Sequence, residues 1–245
     1  MRVAVVCAAL TLGACAHGEE SLSKFSAKYS GAEILPVAFV EQQAAADCGA
    51  AALTSVGRYW GADIALGSIF AQQAPRNPAF GYSIGELHAV SERLGLASAR
   101  LLDTPDYILG LVDEGVPVIA PIEKPYERRD IFDFMLASML SRLIVDAFVG
   151  EPAGVNHYVV VLGADEQLVY VLDPQDGYRA LARSEFLAQW RELTQEFVPD
   201  AGAEVAGFAV YREAPAAPSF DAAAAFAPEL AGYDGGGTVW SAHAR

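Results

Sequence analysis

Residues 42–60 read Q-Q-A-A-A-D-C-G-A-A-A-L-T-S-V-G-R-Y-W, a run that commits this stretch to a helix with one thiol in its first turn. Ala52, Leu53, Val56, Tyr59 and Trp60 recur at helical spacing, and Gly61 stops the run. Asp47 stands where an N-cap carboxylate is expected, and Gly49 leaves room for another backbone to approach closely. A side chain at such a start faces unpaired amide groups and the positive end of the helix dipole, both of which favour an anion. A cysteine there is biased towards the thiolate, the form that attacks carbonyl carbon. Cys48 is therefore the candidate nucleophile; the plain alternative is a buried cysteine acting as a small apolar filler.

What moves the reading towards chemistry is the company downstream. Residues 156–163, N-H-Y-V-V-V-L-G, and 168–174, L-V-Y-V-L-D-P, read as successive strands joined by a turn at 164–167. The first carries His157 and the second ends on Asp173. Taken singly, His157 also fits a satisfied core histidine, and Asp173-Pro174 a turn dipeptide that ends a strand. Taken together, with Gln42 six residues ahead of Cys48, chance becomes the weaker account of their order and spacing.

The pattern Q-x-x-x-x-D-C-G-A-A-x-L, an H-[FY]-V-V-V strand and a strand ending in D-P resembles the bacteriocin-processing, double-glycine-leader cysteine peptidases, a papain-like family, over roughly residues 34–211. The resemblance implies an α+β fold in which a helical half carrying the nucleophile packs on an antiparallel sheet carrying the histidine and aspartate. It also implies roles. Cys48 attacks a scissile amide of a peptide or protein substrate, His157 takes and returns the proton, and Asp173 orients the imidazole. Gln42 donates to the oxyanion beside the Cys48 amide, with Gln43 as the neighbouring alternative. Members of the family are usually fused to a transporter with membrane helices and an ATPase, and they cut after Gly-Gly. This sequence carries neither partner, so the need for Gly-Gly stays open. The alternatives are a catalytically silent peptide-binding module and a papain-like amidase or acyl transferase.

The N-terminus concerns location. Residues 1–14 are apolar with one charge at Arg2, too short to span a bilayer, and lead into Leu12-Gly13-Ala14-Cys15, a lipobox. Residues 1–15 are thus expected to be a lipoprotein signal with Cys15 lipidated. Ala16 after Cys15 points to the outer membrane, facing the periplasm. Ordinary cleavage after Ala16 would instead give a soluble periplasmic protein. Both readings export the chain, and of three cysteines Cys48 is then the free thiol in a compartment where disulfides form. A net charge of -15 argues against nucleic acid and against docking on anionic lipid, leaving the acyl chains as the membrane attachment. Without H-E-x-x-H, C-x-x-C or G-x-x-x-x-G-K-[ST], neither a metal nor a cofactor is expected.

About 230 of the 245 residues remain after the signal, 53% hydrophobic over the whole chain, enough for one domain with a real core. Residues 16–33 are polar and read as a tether, 34–213 as the papain-like domain and 214–245 as an Ala/Pro/Gly-rich tail. Within the domain, 125–155 reads as a helical insertion, with Phe132, Leu136, Met139, Leu140 and Leu143 at helical spacing. It is either an extra helix packed on the domain, or a flap or partner-binding helix. Elsewhere, 35–40 reads as an extended lead-in. Helices are expected at 64–73, at 84–94 behind a Ser83/Glu86 capping box, from Thr104-Pro105 to Gly115, and from Ser184 through Trp190. Further strands are expected at 116–122, 178–181 and 205–211.

Overall fold

The computed structural model describes residues 21–78, 81–124 and 155–211. The lipobox with Cys15, the stretch 125–154 of the insertion and the tail from residue 212 lie outside the described residues.

Among the described residues, six strands form one antiparallel sheet in the order β1-β6-β2-β3-β4-β5. They are β1 (Ala97–Asp103), β2 (Val118–Lys124), β3 (Val155–Ala164), β4 (Leu168–Asp173), β5 (Gly177–Ala182) and β6 (Val205–Tyr211). The valine-rich run of β3 sends alternate side chains to opposite faces, so both faces of this central strand must be covered. Val160 and Leu162 join one core with Leu53, Val56, Ile84 and Leu87; Val159 and Val161 join another with Ile108, Val112, Phe186 and Trp190. The first core is roofed by α2 (Cys48–Tyr59), α3 (Leu66–Gln72) and α4 (Ile84–Arg93). The second lies under α5 (Pro105–Asp113) and α6 (Arg183–Phe197). The helical half carrying Cys48 therefore packs on an antiparallel sheet, as expected, and a second helical layer closes the opposite face.

Several local expectations meet their elements. Ser83 and Glu86 form a reciprocal capping box at α4: Glu86 N–H donates to Ser83 Oγ at 3.3 Å and Ser83 N–H to Glu86 Oε2 at 2.8 Å. Thr104 Oγ1 caps α5 by accepting from Tyr107 N–H at 3.4 Å, with Pro105 in the first turn.

Four readings need correction. Part of the expected tether is α1 (Leu22–Lys28), whose Phe25 is 1% exposed and lies against the rings of Tyr29, Tyr170 and Tyr178. Burying one such ring is worth roughly 1.5–3 kcal/mol, enough to dock a polar segment that shows no helical period of its own. Strand β1 was not expected; its A-S-A-R-L-L-D has weak alternation, and it is held at the sheet edge by pairing with β6 and by Ala99 and Leu101, which pack into the second core. Helix α6 starts at Arg183, so Ser184 lies inside it and caps nothing. Finally, β2 runs two residues past the expected end at 122, because its pairing with β3 continues through Glu123↔Asn156 to Lys124↔Val155. The lead-in at 35–40 is extended but joins no ladder; Leu35 N–H donates to Leu162 O at 2.8 Å and Tyr178 Oη to Val37 O at 2.8 Å.

Candidate active site

Helix α2 begins at Cys48 directly after a 3-10 turn at Ala45–Asp47. Asp47 does not cap it. Its backbone is already helical (φ -92°, ψ -4°), which turns the carboxylate backward, where Oδ2 accepts from Ala44 N–H at 3.0 Å. The carboxylate thus braces the turn that delivers the cysteine. Gly81, at φ 75°, supports the same turn: a Cβ there would run into the Ala46 carbonyl. Gly49 makes room for a ring rather than for a backbone, since a Cβ there would stand 3.1 Å from the ring of Tyr158. That glycine lets α2 settle onto β3 one residue from His157.

His157 lies near the start of β3 and Asp173 at the end of β4, and the antiparallel pairing of these strands brings the two side chains together. His157 Nε2 and Asp173 Oδ1 are 2.7 Å apart, with both residues buried. The turn after β4 also serves Asp173, whose Oδ1 accepts from Gln175 N–H at 2.8 Å and more weakly from Asp176 N–H at 3.4 Å. The side chain of Cys48 acts on the ring as well, raising the His157 pKa together with Asp173. With Nε2 given to Asp173, the ring nitrogen left for the sulfur is Nδ1.

The electrostatics follow from these contacts. Burial pulls the His157 pKa down, but the hydrogen bonds and charges of Asp173 and Cys48 more than offset it and leave it raised to about 9. Burial pushes the Asp173 carboxyl up, yet the hydrogen bond and charge of His157, followed by the charge of Lys124, hold it well below the usual carboxylate range. Cys48 is 4% exposed, a burial that by itself suits an apolar filler. A filler does not need a buried, charge-supported imidazole as its neighbour.

Gln42 lies beside this group. Its N–H donates to Pro174 O at 2.9 Å, tying the residue six before the cysteine to the residue after Asp173. Its side chain is partly buried, and Oε1 is buried with no hydrogen-bond partner among the described residues. Gln43 points to solvent. His88, on α4, binds Ser98 Oγ through Nδ1 at 2.8 Å and takes no part in the group around Cys48.

Sequence reading missed Lys124. It is 6% exposed, and its Nζ lies 3.1 Å from Asp173 Oδ2, 2.6 Å from Asp176 Oδ2 and 3.4 Å from Gln175 Oε1. Burial lowers its pKa, but the two carboxylates outweigh that and keep it raised, so it is a cation. The available signal was a lysine ending the apolar run V-I-A-P-I-E-K, with a D-P-Q-D turn downstream to pair it; lysine is almost never buried unpaired. Among the described residues no group of three His, Cys, Asp or Glu side chains is placed to share a metal ion.

Comparison with known proteins places this geometry in context. The profile of the Peptidase_C39 like family matches residues 34–198. Among solved structures, a protein from Bacillus anthracis described as a C39-like peptidase is similar at a TM-score of 0.53 and 16% identity, over 75% of this chain and 98% of that one. At that identity the likeness is one of fold, the papain-like fold of C39 peptidases. The peptidase domain of Streptococcus ComA, a bifunctional ABC transporter involved in a quorum-sensing pathway, is similar at a TM-score of 0.46 and 17% identity, over 70% of this chain and 94% of that one. A double-glycine-motif protease from an AMS/PCAT transporter, in complex with its leader peptide, gives 0.46 and 16%, over 73% and 91%. No curated protein matches.

Proposed function

This chain belongs to the Peptidase_C39 like family, and from that membership we propose that it is a cysteine peptidase, and from the lipobox at residues 12–15 that it is exported and lipid-anchored. The observation that carries the proposal is the buried pair of His157 and Asp173, 2.7 Å apart, with the Cys48 side chain acting on the same imidazole.

In the proposed reaction, His157 stands as an imidazolium beside the Cys48 sulfur. The sulfur attacks the carbonyl carbon of the scissile amide, and the oxygen that gains the negative charge is met by the Gln42 side-chain amide and the Cys48 backbone N–H. His157 passes its proton to the departing amine as the C–N bond breaks, leaving a thioester. A water molecule then attacks that thioester, giving a proton to His157, and the acid leaves as the C–S bond breaks, restoring the sulfur and the imidazolium. Asp173 holds the ring by its Nε2–H throughout and stabilises its positive charge. Gln42 is preferred to Gln43 as oxyanion donor because its backbone is tied to Pro174, next to Asp173, and its side chain is partly buried, whereas Gln43 faces solvent.

A peptide or protein is the substrate in this reading, and Gly-Gly specificity remains to be measured. Incubating the full chain with a peptide library that includes Gly-Gly sequences, followed by mass spectrometry of the products, tests it. Cleaved amides support a peptidase. Acyl transfer without cleavage would make it a transferase, and a Cys48 that alkylates no faster than free cysteine would make it a silent binding module. Lipid anchoring rests on Leu12-Gly13-Ala14-Cys15 and outer-membrane placement on Ala16. Both are tested by detergent-phase partitioning and membrane fractionation of the parent and Cys15→Ala, which is expected to leave the membrane.

A further inference from the structure

We infer that Lys124 is a positioning residue of the Cys48 site, its buried ammonium fixing the Asp173 carboxylate so that Oδ1 is presented to His157. The inference deepens the peptidase reading and rests on it for its consequence in turnover. The two oxygens of Asp173 have divided duties: Oδ1 takes His157 Nε2 at 2.7 Å and Gln175 N–H at 2.8 Å, while Oδ2 takes Lys124 Nζ at 3.1 Å. A carboxylate held by one oxygen can still swing about its Cβ–Cγ bond. Held by both, it cannot.

Lysine is an expensive way to clamp a turn. Burying an ion pair brings a desolvation penalty that often cancels the attraction, and an apolar residue of similar volume would pack as well or better. The structure nevertheless directs Lys124 onto Asp173 Oδ2, Asp176 Oδ2 and Gln175 Oε1, from a strand whose pairing with β3 sets Ile122 opposite His157 two residues away. The cation therefore meets the far oxygen of the one carboxylate that serves the imidazole.

The charges around this group set the sign of its effect. His157 meets Cys48 from α2 and Asp173 from β4. Lys124 meets Asp173 and Asp176, and Asp176 is also held by Arg179 of β5 at 3.0 Å. Glu123, next along β2, feels Glu192 and Glu196 of α6 instead. Lys124 and the His157 imidazolium thus compete for the charge of Asp173. Without the lysine, the carboxylate favours the imidazolium more strongly, so His157 keeps its proton to higher pH while the carboxylate plane loosens.

The experiment follows the ring resonances of His157 by NMR in full-length chain carrying 15N-histidine, in the parent, Lys124→Met, Lys124→Gln and Lys124→Arg. The protonation midpoint is expected to rise by about half a unit or more in the Met and Gln variants and to stay near the parent in the Arg variant, which keeps the charge. Turnover should fall roughly 10-fold to 100-fold in kcat with KM little changed, as for a misoriented group, and the Arg variant should recover part of it. An unmoved His157 midpoint in folded Met and Gln variants, with only a lower denaturation midpoint, would reduce Lys124 to a clamp and overturn the inference. So would the failure of both to fold. If the His157 midpoint moves while Cys48 of the parent proves inert to alkylation, the coupling stands and the peptidase reading falls. If Cys48 is reactive and the midpoint is fixed, the reverse holds.

Discussion

Helices α2 and α4 pack in the same core on the same face of the sheet, and their starts are built in opposite ways. At α4, Ser83 and Glu86 satisfy each other's backbone amides in a closed box. At α2 no side chain of the described residues caps the first turn: Asp47 turns back to Ala44, and the first residue is Cys48, whose side chain helps to raise the His157 pKa. A helix start that uses up its amides contributes stability and nothing more. One left without a side-chain cap keeps its positive end for a negative charge brought by substrate or formed in a reaction.

The contrast is broken most severely at the proposed nucleophile. Cys48→Ser is expected to lower turnover on the order of 10,000-fold or more, since a hydroxyl at the same place lacks the thiol's acidity and nucleophilicity, while the denaturation midpoint stays near the parent. His157→Ala should approach the same loss. Asp173→Asn should cost less than His157→Ala in kcat, because an amide can still orient the ring. Its single acceptor oxygen must, however, serve both His157 and Lys124, so some loss is certain. Equal losses in the two variants would refute the assignment of roles.

A smaller effect sharpens the contrast at the oxyanion. Gln42→Ala is expected to reduce kcat on the order of 100-fold to 1000-fold with KM little changed, while Gln43→Ala stays within a few-fold, as measured by steady-state kinetics on one cleaved peptide. An exchange of the two phenotypes would transfer the role to Gln43. The smallest effect belongs to the closed start: Ser83→Ala should cost about 1 kcal/mol of stability in urea titration and leave kcat within a few-fold. A large loss of turnover there would mean that α4 takes part in the chemistry.

Stability should also follow pH in a definite direction. His157 has its folded pKa raised to about 9, above an unfolded value of about 6.5, so its contribution is complete below about 6.5 and is lost as pH rises through about 9. Asp173 is depressed, so its contribution is present above the unfolded carboxylate range and is lost as acid protonates it. Urea midpoints should therefore fall between about pH 6.5 and 9 in the parent, and this slope should flatten in His157→Ala.

Much of this was legible in the sequence, and the gaps have physical causes. Strands β3, β4 and β6 and helix α4 announced themselves because alternation, a valine run or a capping box is written within ten residues. Cys48, His157 and Asp173 could be named because each sits at the end of such an element. Lys124 could not, since whether β2 stops at 122 or 124 depends on pairing with a strand more than thirty residues away. Helix α1 was hidden for a related reason: Phe25 is one aromatic in a polar stretch, and its partners Tyr170 and Tyr178 come from β4 and β5. Asp47 misled because a 3-10 turn ahead of α2 shifts the cap position by three residues, and sequence alone does not reveal that turn.

The central claim is that Cys48 is a nucleophile held ready by His157, and the rate of Cys48 alkylation by iodoacetamide as a function of pH tests it most directly. In the parent, the rate should already be high below pH 7 and show a second change near the His157 value of about 9, while His157→Ala should lose the reactivity below pH 7. A parent rate that rises only around the ordinary thiol pKa of about 8.5, unchanged by His157→Ala, would contradict the claim and leave Cys48 a buried apolar side chain.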